Sequence, residues 1–415
     1  MCHPLHINEK RLQNRLQSLA QIGATTEGGV HRPALSAAHL QAQQWFAEQA
    51  TQAHLTVCTD GAGNHSARLA GTTPDAPTLL LGSHLDTVPN GGRFDGALGV
   101  VCALEVLQTI QETAIPLAFH LEAISFTDEE GTHISLLGSR ALTGQLTEQD
   151  LEHPLSGRAA WQQALARAGL SVSSILSAKR DPHTLAGYLE VHIEQGPRLT
   201  YAQTEIGIVT RIVGIGRHRL TFVGRADHAG TMPLANRRDA SLGACAFTLA
   251  ARACVLDRFP GCVVNVGQMD FAPGAFNVVP QTVDVALEFR SPYPDQLTGL
   301  EQTLIELAHE QATKFDLDLE DEPLETVTPT PMNPQVQQLV AQATRQLGLG
   351  SMPMPSGAGH DAQAFAPLCP TGMIFVPSVG GYSHSPQECS TWQDCINGAN
   401  TLLHTTLAFA NIRKT

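Results

Sequence analysis

Short apolar runs alternate with segments of helical periodicity through the first half of the chain. Residues 78–82 and 117–126 are apolar runs, bounded by glycine or by acidic residues, which is typical of buried strands. Residues 37–53 and 99–110 space their apolar side chains as helices do, and Ser36 precedes the first of them as a candidate N-cap. This alternation predicts an α/β domain whose mostly parallel sheet is flanked by helices.

The pattern changes near Ile206 and changes back near Pro329. Strand patterns with antiparallel character and two long helical patterns lie between these points, at residues 219–224, 240–256, 262–269, 282–290 and 295–314. We therefore predict a larger catalytic domain, residues 1–209 and 327–415, and a smaller inserted α+β domain, residues 210–326.

Length, charge and cysteine content narrow the class of protein. A chain of 415 residues exceeds what one hydrophobic core usually supports, which agrees with two domains. The net charge of -14, with no offsetting basic stripe, argues against a nucleic-acid partner. No apolar stretch approaches the roughly 18 residues needed to span a bilayer, and residues 1–20 lack the apolar core of a signal peptide, so we expect no membrane partner. The nine cysteines are scattered and include no Cys-x-x-Cys pair, which favours reduced thiols and a cytoplasmic location.

Polar clusters rich in histidine and acidic residues follow the strand patterns or lie beside glycines. The five clusters are residues 82–86, 95–96, 128–131, 192–196 and 382–385. Sheets of α/β domains place ligands at the carboxyl ends of their strands, so clusters at strand ends are expected to meet there. Because His, Asp and Glu bind divalent metals, the clusters indicate parts of one two-metal hydrolytic site.

The spacing within the first two clusters suggests a division of roles. His84 and Asp86 share one face of extended backbone, so His84 could bind a metal while Asp86 orients its ring. Asp95 follows in a glycine-rich stretch where tight backbone lets a carboxylate turn inward. A carboxylate there could bridge two metals.

The remaining clusters offer a base and further ligands. Glu129 and Glu130 are adjacent, so their side chains cannot point the same way in regular structure. In one division of roles, Glu130 binds metal while Glu129 acts on the substrate water as general base. His192 and His384 would complete the metal shells with imidazole nitrogens. Taken singly, each pattern is more typical of a hydrogen-bonded or solvent-exposed residue than of a ligand, and only their joint placement favours the metal site.

Five separated motifs, in order along the chain, carry a resemblance to a known family. They are residues 82–87, 90–96, 127–131, 192–196 and 356–362. Together they resemble the aminoacylase/carboxypeptidase superfamily of dinuclear metallohydrolases. More narrowly, they are similar to its N-carbamoyl-L-amino-acid hydrolase and allantoate amidohydrolase branch, and the similarity extends from about Gly23 to near the C-terminus.

The resemblance implies two divalent metal ions per subunit. Imidazole and carboxylate ligands suit Zn²⁺, and Mn²⁺, Co²⁺ or Ni²⁺ could replace it. The implied ligands of one metal are His84, Asp95 and His192. The implied ligands of the other are Asp95, Glu130 and His384, so that Asp95 bridges. Glu129 would then be the general base, and Asp86 would support His84.

The resemblance also implies substrate contacts and a homodimer. His228, in the inserted lid and dimerisation domain, would come from the partner subunit and stabilise the oxyanion. Asn277 and Arg290 would bind the substrate carboxylate, for which the planar fork of Arg is suited. The implied contacts to the ureido or amide group are Gln195 and the backbone of Gly357, Ala358 and Gly359, with His360 behind the ligands.

The implied reaction is hydrolysis of the carbamoyl C–N bond of N-carbamoyl-L-amino acids, which gives an amino acid, CO₂ and ammonia. Allantoate amidohydrolase or β-ureidopropionase activity is the alternative, and allantoate amidohydrolases carry nearly the same metal and carboxylate-binding residues. A dipeptidase or aminoacylase is disfavoured by His192 and by residues 356–361. A metal-binding protein without catalysis is disfavoured because a base and every expected ligand are present.

Overall fold

The structure, a computed structural model, describes residues 4–409; residues 1–3 and 410–415 lie outside it. The chain forms two compact units, Met1–Thr210 with Pro331–Thr415, and Arg211–Thr330. The second unit is therefore inserted into the first.

The strands of the described residues are numbered in chain order. They are β1 (Thr56–Thr59), β2 (His65–Leu69), β3 (Thr78–His84), β4 (His120–Phe126), β5 (Leu185–Ile193), β6 (Ile206–Ile212), β7 (Gly214–Val223), β8 (Val263–Ala272), β9 (Thr282–Ser291), β10 (Asp318–Val327), β11 (Thr330–Pro331), β12 (Ser351–Ser356) and β13 (Thr371–Val376).

The α-helices of the same residues are also numbered in chain order. They are α1 (Glu9–Leu19), α2 (Ala37–Gln52), α3 (Ala97–Glu112), α4 (Leu137–Thr143), α5 (Glu148–Glu152), α6 (Arg158–Ala168), α7 (Val172–Ser177), α8 (Arg198–Ala202), α9 (Ala240–Arg258), α10 (Pro294–Lys314), α11 (Pro334–Leu347), α12 (Ala362–Phe365) and α13 (Trp392–Ala408). Ser36 accepts a hydrogen bond from the main-chain N–H of His39, which confirms the predicted N-cap of α2.

The large sheet has nine strands in the order β1-β2-β4-β3-β5-β13-β6-β11, with β12 beside β6. Its centre is parallel, because β3 pairs in parallel with β4 and β5, and β13 does so with β5. Strands β3 and β4 are buried along their whole length, as expected for strands covered on both faces. Helix α3 is apolar on nearly every side and packs in the core cluster with these strands. The predicted mostly parallel sheet flanked by helices is confirmed.

The inserted unit has two layers. Its four strands form an antiparallel sheet in the order β10-β7-β9-β8, and α9 and α10 contribute to the core on one face. Along β7 the burial alternates, so that Leu220 and Phe222 face this core while Arg217 and Arg219 face solvent. This arrangement confirms the predicted smaller α+β fold.

We expected no apolar stretch long enough to cross a membrane, and helix α9 is an exception to this expectation. By length and composition alone it could do so. Its buried residues, which include Phe247 and Ala251, pack in the core of the inserted unit. The core helix of a soluble protein passes the same length-and-composition criterion, so a single such helix is weak evidence for a membrane span.

Candidate metal centre

Three neighbouring parallel strands bring the predicted ligands to one edge of the large sheet. His84 is the last residue of β3 and His192 the second-last residue of β5. Strand β4 ends at Phe126, which pairs with His84, and the segment with Glu129 and Glu130 follows it. Because the strands are parallel, their carboxyl ends lie side by side, and the polar clusters converge there.

Asp95 enters the same place from the loop before α3. The residue that follows it, Gly96, has φ +61°, and a Cβ atom there would lie 2.4 Å from three ring atoms of His84. Only glycine permits so close an approach of main chain to imidazole. The contact with His84 therefore explains why glycine is needed at position 96 of the glycine-rich stretch.

The carboxylate of Asp95 lies between two groups of possible ligands. Its Oδ1 is 3.6 Å from His84 Nε2 and 3.1 Å from His192 Nε2, and its Oδ2 is 3.5 Å from His384 Nε2. His384 Nε2 is also 3.5 Å from Glu130 Oε2. The side chains able to hold an ion together include His84, Asp95 and His192, and separately Asp95, Glu130 and His384. These are the two sets that the family resemblance implies, and Asp95 belongs to both.

Main-chain oxygens orient the two buried imidazoles. His84 Nδ1 lies 3.0 Å from the carbonyl oxygen of Asp86, and His192 Nδ1 lies 2.9 Å from that of Ile193. A carbonyl oxygen can only accept, so each Nδ1 donates to it and Nε2 is the ring nitrogen that faces Asp95. In both residues Nε2 is therefore the nitrogen available to a metal.

The carboxylate of Asp86 has a different contact from the one we expected. It lies 4.0 Å from His84 Nδ1 and accepts hydrogen bonds from the main-chain N–H groups of Glu129, at 3.4 Å, and Glu130, at 3.2 Å. Asp86 thus orients His84 through its backbone oxygen, while its side chain holds the turn that carries both glutamates.

Buried negative charge dominates the electrostatics of the site. Burial, reinforced by the charge of Asp95, raises the pKa of Glu130 to about 8. Burial also raises the pKa of Glu129 well above its usual range. Burial alone would lower the pKa of His84, but the charge of Glu129 and the hydrogen bond to Asp95 raise it well above the ordinary value. Cations placed among these groups would therefore be strongly favoured.

Unused hydrogen-bonding capacity fits the same conclusion. Within residues 4–409, neither Glu130 Oε1 nor Gln195 Oε1 has a hydrogen-bond partner, although both atoms are buried. Buried polar atoms normally have a partner, and Glu130 belongs to a group of side chains that could hold an ion. The donor set of imidazole and carboxylate, together with this orphaned oxygen, fits divalent cations.

Gln195 lies among the candidate ligands. Its Nε2 donates a hydrogen bond to Asp95 Oδ2 at 2.9 Å and lies 3.5 Å from His384 Nε2. Its φ of +58° is in the left-handed region, and its main-chain N–H donates to Ser378 Oγ. The structure thus places this predicted ureido contact within the ligand cluster.

The segment of residues 356–361 contacts His192. Ser356 Oγ lies 2.8 Å from His360 Nε2 and 2.9 Å from the carbonyl oxygen of Ala358. The rings of His360 and His192 meet edge to face, with centroids 4.5 Å apart. The predicted backbone contacts at residues 357–359 therefore belong to a segment that reaches a candidate ligand.

Sequence reasoning missed two buried carboxylates beside the site. Glu190 accepts hydrogen bonds from Ser83 Oγ at 2.8 Å and from the Tyr188 hydroxyl at 3.0 Å. An acidic residue inside the apolar run of β5 was a visible signal for it. Glu388 accepts hydrogen bonds from the main chain that leads to Asp95, and its position in a polar loop gave no signal.

The inserted unit separates the predicted substrate contacts into two places. His228 pairs with Val278 in an isolated bridge, and Ala229 N–H donates to the carbonyl oxygen of Asn277 at 3.0 Å, so His228 and Asn277 are neighbours. They lie beyond the Thr282 end of β9, whereas Arg290 is near its other end. At roughly 3.3 Å per residue the strand spans about 26 Å between Thr282 and Arg290.

Arg290 is engaged in the inserted unit by a neighbouring carboxylate. Its Nε and one terminal nitrogen donate to Glu288 Oε1, at 2.9 and 2.7 Å. Glu288 also accepts a hydrogen bond from Arg217 across the sheet. The guanidinium is thus held in a defined orientation on the polar face of the sheet.

Comparison with known proteins places this chain in a family. Residues 80–408 match the profile of peptidase family M20/M25/M40. An N-carbamoyl-L-amino acid amidohydrolase of Geobacillus stearothermophilus is 38% identical over 96% of this chain and 98% of its own. The allantoate amidohydrolase of Bacillus subtilis is 31% identical over 93% and 94% of the two chains.

A solved structure agrees over the whole length. A hydantoinase/carbamoylase-family amidase from Burkholderia multivorans superposes with a TM-score of 0.91 and is 34% identical, covering 99% of this chain and 100% of its own. The resemblance carried by the five motifs is confirmed. The chain belongs to peptidase family M20/M25/M40, in the branch that includes the N-carbamoyl-L-amino acid and allantoate amidohydrolases.

Proposed function

We propose that this chain is a metal-dependent amidohydrolase that cleaves the carbamoyl C–N bond of N-carbamoyl-L-amino acids. The observation that carries the proposal is the Asp95 carboxylate, whose two oxygens face two groups of candidate ligands. The relative from Geobacillus stearothermophilus supports this choice of substrate. The products are an amino acid and carbamate, which decomposes to CO₂ and ammonia.

Two divalent cations complete the site in this proposal. The first would be held by His84, Asp95 and His192. The second would be held by Asp95, Glu130 and His384. When bound, such cations acidify water and polarise an amide carbonyl. Zn²⁺ suits these imidazole and carboxylate donors, and Mn²⁺, Co²⁺ or Ni²⁺ would also be accepted.

Glu129 is the general base. Its carboxylate is buried, with Oε2 3.5 Å from His84 Nε2, and Asp86 holds its main chain. Burial raises the pKa of this carboxyl well above its usual range. Glu129 accepts a proton from the water that attacks the carbamoyl carbon, and returns it to the leaving nitrogen as the C–N bond breaks.

Two groups of residues select the substrate. Gln195, beside Asp95, binds the ureido group together with backbone groups of residues 357–359. Arg290 and Asn277 bind the substrate carboxylate, and Glu288 orients the guanidinium of Arg290. His228 donates to the developing oxyanion, a contribution of about 2.7–4 kcal/mol for one such donor in other enzymes.

The separation within the inserted unit supports a homodimer. An N-carbamoyl amino acid is far shorter than the roughly 26 Å of strand between Arg290 and the His228–Asn277 pair. One copy of the unit therefore cannot supply all three residues to one substrate. We propose that one substrate is bound by Arg290 of one subunit and by His228 with Asn277 of the other, with His228 coming from the partner of the subunit that supplies the metal centre.

An exposed apolar surface is available for this pairing. Leu242, Leu249 and Leu256 recur every seventh residue along α9, so they share one face, and all three are exposed. Strand β8 is an edge of its sheet and carries exposed Val263. An apolar helix face beside an open strand edge fits a second copy of the same surface.

We propose a cytoplasmic location for the enzyme. The eight cysteines among the described residues are all free, as expected in a reducing compartment. A net charge of -14 fits a small-molecule enzyme without a nucleic-acid partner.

Allantoate amidohydrolysis is the second candidate, supported by the Bacillus subtilis relative. Both substrate classes carry a ureido group and a carboxylate, so the metal site serves either one. The two substrate classes differ in the atoms that link the ureido group to the carboxylate.

A substrate panel tests the proposed function. The purified protein, supplied with divalent metal, should release ammonia from N-carbamoyl-L-amino acids at a higher kcat/KM than from N-carbamoyl-β-alanine or allantoate. Ammonia release is followed by a coupled assay, with amino-acid formation measured in parallel. A higher kcat/KM on allantoate would favour the second candidate, and no release from any of the three would contradict both.

The base assignment predicts a separation of chemistry from metal binding. Glu129→Gln should lower kcat by about 10²–10⁴-fold, because the amide cannot take the proton, while metal content stays at the wild-type level. Glu148→Gln, at an exposed position on α5, is the control and should retain full activity. Wild-type kcat in the Glu129→Gln protein would rule out this residue as the base.

The two-subunit site predicts complementation. Glu129→Gln and His228→Ala are each expected to be nearly inactive as homodimers. Unfolding and refolding them together forms mixed dimers, in which one site combines an intact Glu129 with the partner's intact His228. Activity should therefore reappear in the mixture and not in either protein treated alone. If the mixture stays as inactive as its components, His228 acts within its own subunit.

A further inference from the structure

Glu388 connects the two loops that carry Asp95 and His384. Its side chain is 2% exposed, and its Oε1 accepts hydrogen bonds from the main-chain N–H groups of Phe94 at 3.0 Å and Asp95 at 3.1 Å. Its Oε2 accepts a hydrogen bond from Ser383 Oγ at 3.2 Å. One buried carboxylate thus contacts both the residue shared by the two ligand groups and the neighbour of His384.

The sequence around Asp95 is adapted to this carboxylate. A Cβ atom at Gly92 would lie 1.9 Å from Glu388 Oε1 and 2.0 Å from its Cδ, so no side chain fits there while Glu388 is in place. Gly92 and Glu388 are nearly three hundred residues apart in the chain. Their fit is a second observation, independent of the hydrogen bonds, that this contact is built into the loop.

His384 has little packing of its own to hold it. Its side chain is 52% exposed, and its backbone has φ +54°. Its position depends on the anchors of its loop, where Ser383 Oγ lies within hydrogen-bond distance of both Glu388 Oε2 and Asp95 Oδ2, at 3.2 and 3.1 Å. A hydroxyl carries one proton, so it donates to one of the two carboxylates at a time. The loop is therefore held by the pair of carboxylates together.

We propose that Glu388 is a positioning residue for the metal centre. It fixes the main chain of Asp95 and the loop of His384 relative to each other, and so sets the geometry of the Asp95–Glu130–His384 group. Among residues 4–409, Glu388 is not itself in any of the side-chain groups that could hold an ion. The inference rests on the metal centre of the proposed function, and it assigns a role that neither the metal ligands nor the base fulfil.

Cation binding by the metal-free enzyme tests this role without relying on activity. The probe is Mn²⁺, titrated by calorimetry into chelator-stripped, full-length wild type and Glu388→Gln. In Glu388→Gln one of the two accepting carboxylate oxygens becomes an NH₂ group, which can only donate. It would face either the hydroxyl of Ser383 or the two main-chain N–H groups, and one of these contacts would be lost. Partners behind metal ligands typically contribute about 10–100-fold to affinity, so Glu388→Gln should weaken at least one Mn²⁺ site by that factor.

Glu122→Gln is the matched control. Glu122 lies in β4 and is also buried, at 5% exposure. Its carboxylate accepts hydrogen bonds from Arg180 at 2.8 and 2.9 Å. Among the described residues it belongs to none of the candidate ligand groups. It should lose some thermal stability and bind Mn²⁺ as the wild type does. Equal Mn²⁺ affinity in wild type and Glu388→Gln, or an equal loss in both variants, would overturn the positioning role. If the wild type bound no Mn²⁺, the metal centre of the proposed function would fail as well.

Gly92→Ala leaves Glu388 in the chain, so it tests the same contact if Glu388→Gln does not fold, and a double-mutant cycle shows whether the two residues act together. Gly92→Ala should weaken Mn²⁺ binding in the wild type, because its methyl group displaces the carboxylate. In a Glu388→Ala background the carboxylate is gone, so the same substitution should have little further effect. Losses that simply add would show that the two residues act independently, against the proposal.

Discussion

The Asp95 carboxylate is the contact on which the candidate metal centre depends, because its two oxygens face two groups of candidate ligands at once. The surrounding structure meets this demand in separate ways. Parallel strands β3 and β5 deliver His84 and His192 to one oxygen. Gly96 lets the chain pass against the ring of His84, and Glu388 holds the main-chain N–H of Asp95 from the far side. A shift of any of these elements would move one oxygen of Asp95 away from the candidate ligands that it faces.

Much of this arrangement follows from local pattern. Apolar runs predict β3 and β4, and polar residues directly after such runs are expected to converge, because parallel strands end at a common edge. His84 and Glu130 could be identified as candidate ligands in this way. The helix after Asp95, α3, agrees with its predicted range within two residues at each end. Burial of these strands on both faces leaves few alternative arrangements, which explains the agreement between sequence and structure.

Contacts between distant segments could not be predicted from the sequence. Glu388 occupies a polar loop, and only the folded chain brings it against Gly92. The role of Asp86 also depended on geometry, since sequence spacing does not distinguish its carboxylate from its carbonyl oxygen as the partner of His84. The distance between Arg290 and His228 required the register of β9. In each case the deciding quantity is a three-dimensional distance that spacing along the chain does not encode.

Anomalous diffraction from crystals of the Zn²⁺-loaded protein, recorded on both sides of the zinc absorption edge, tests the central claim most directly. Two peaks are predicted, one about 2.0–2.2 Å from each oxygen of Asp95. The Oδ1 peak should be shared with His84 and His192, and the Oδ2 peak with Glu130 and His384. A single peak, or one held by Glu190, His192 and His360 away from Asp95, would contradict the account.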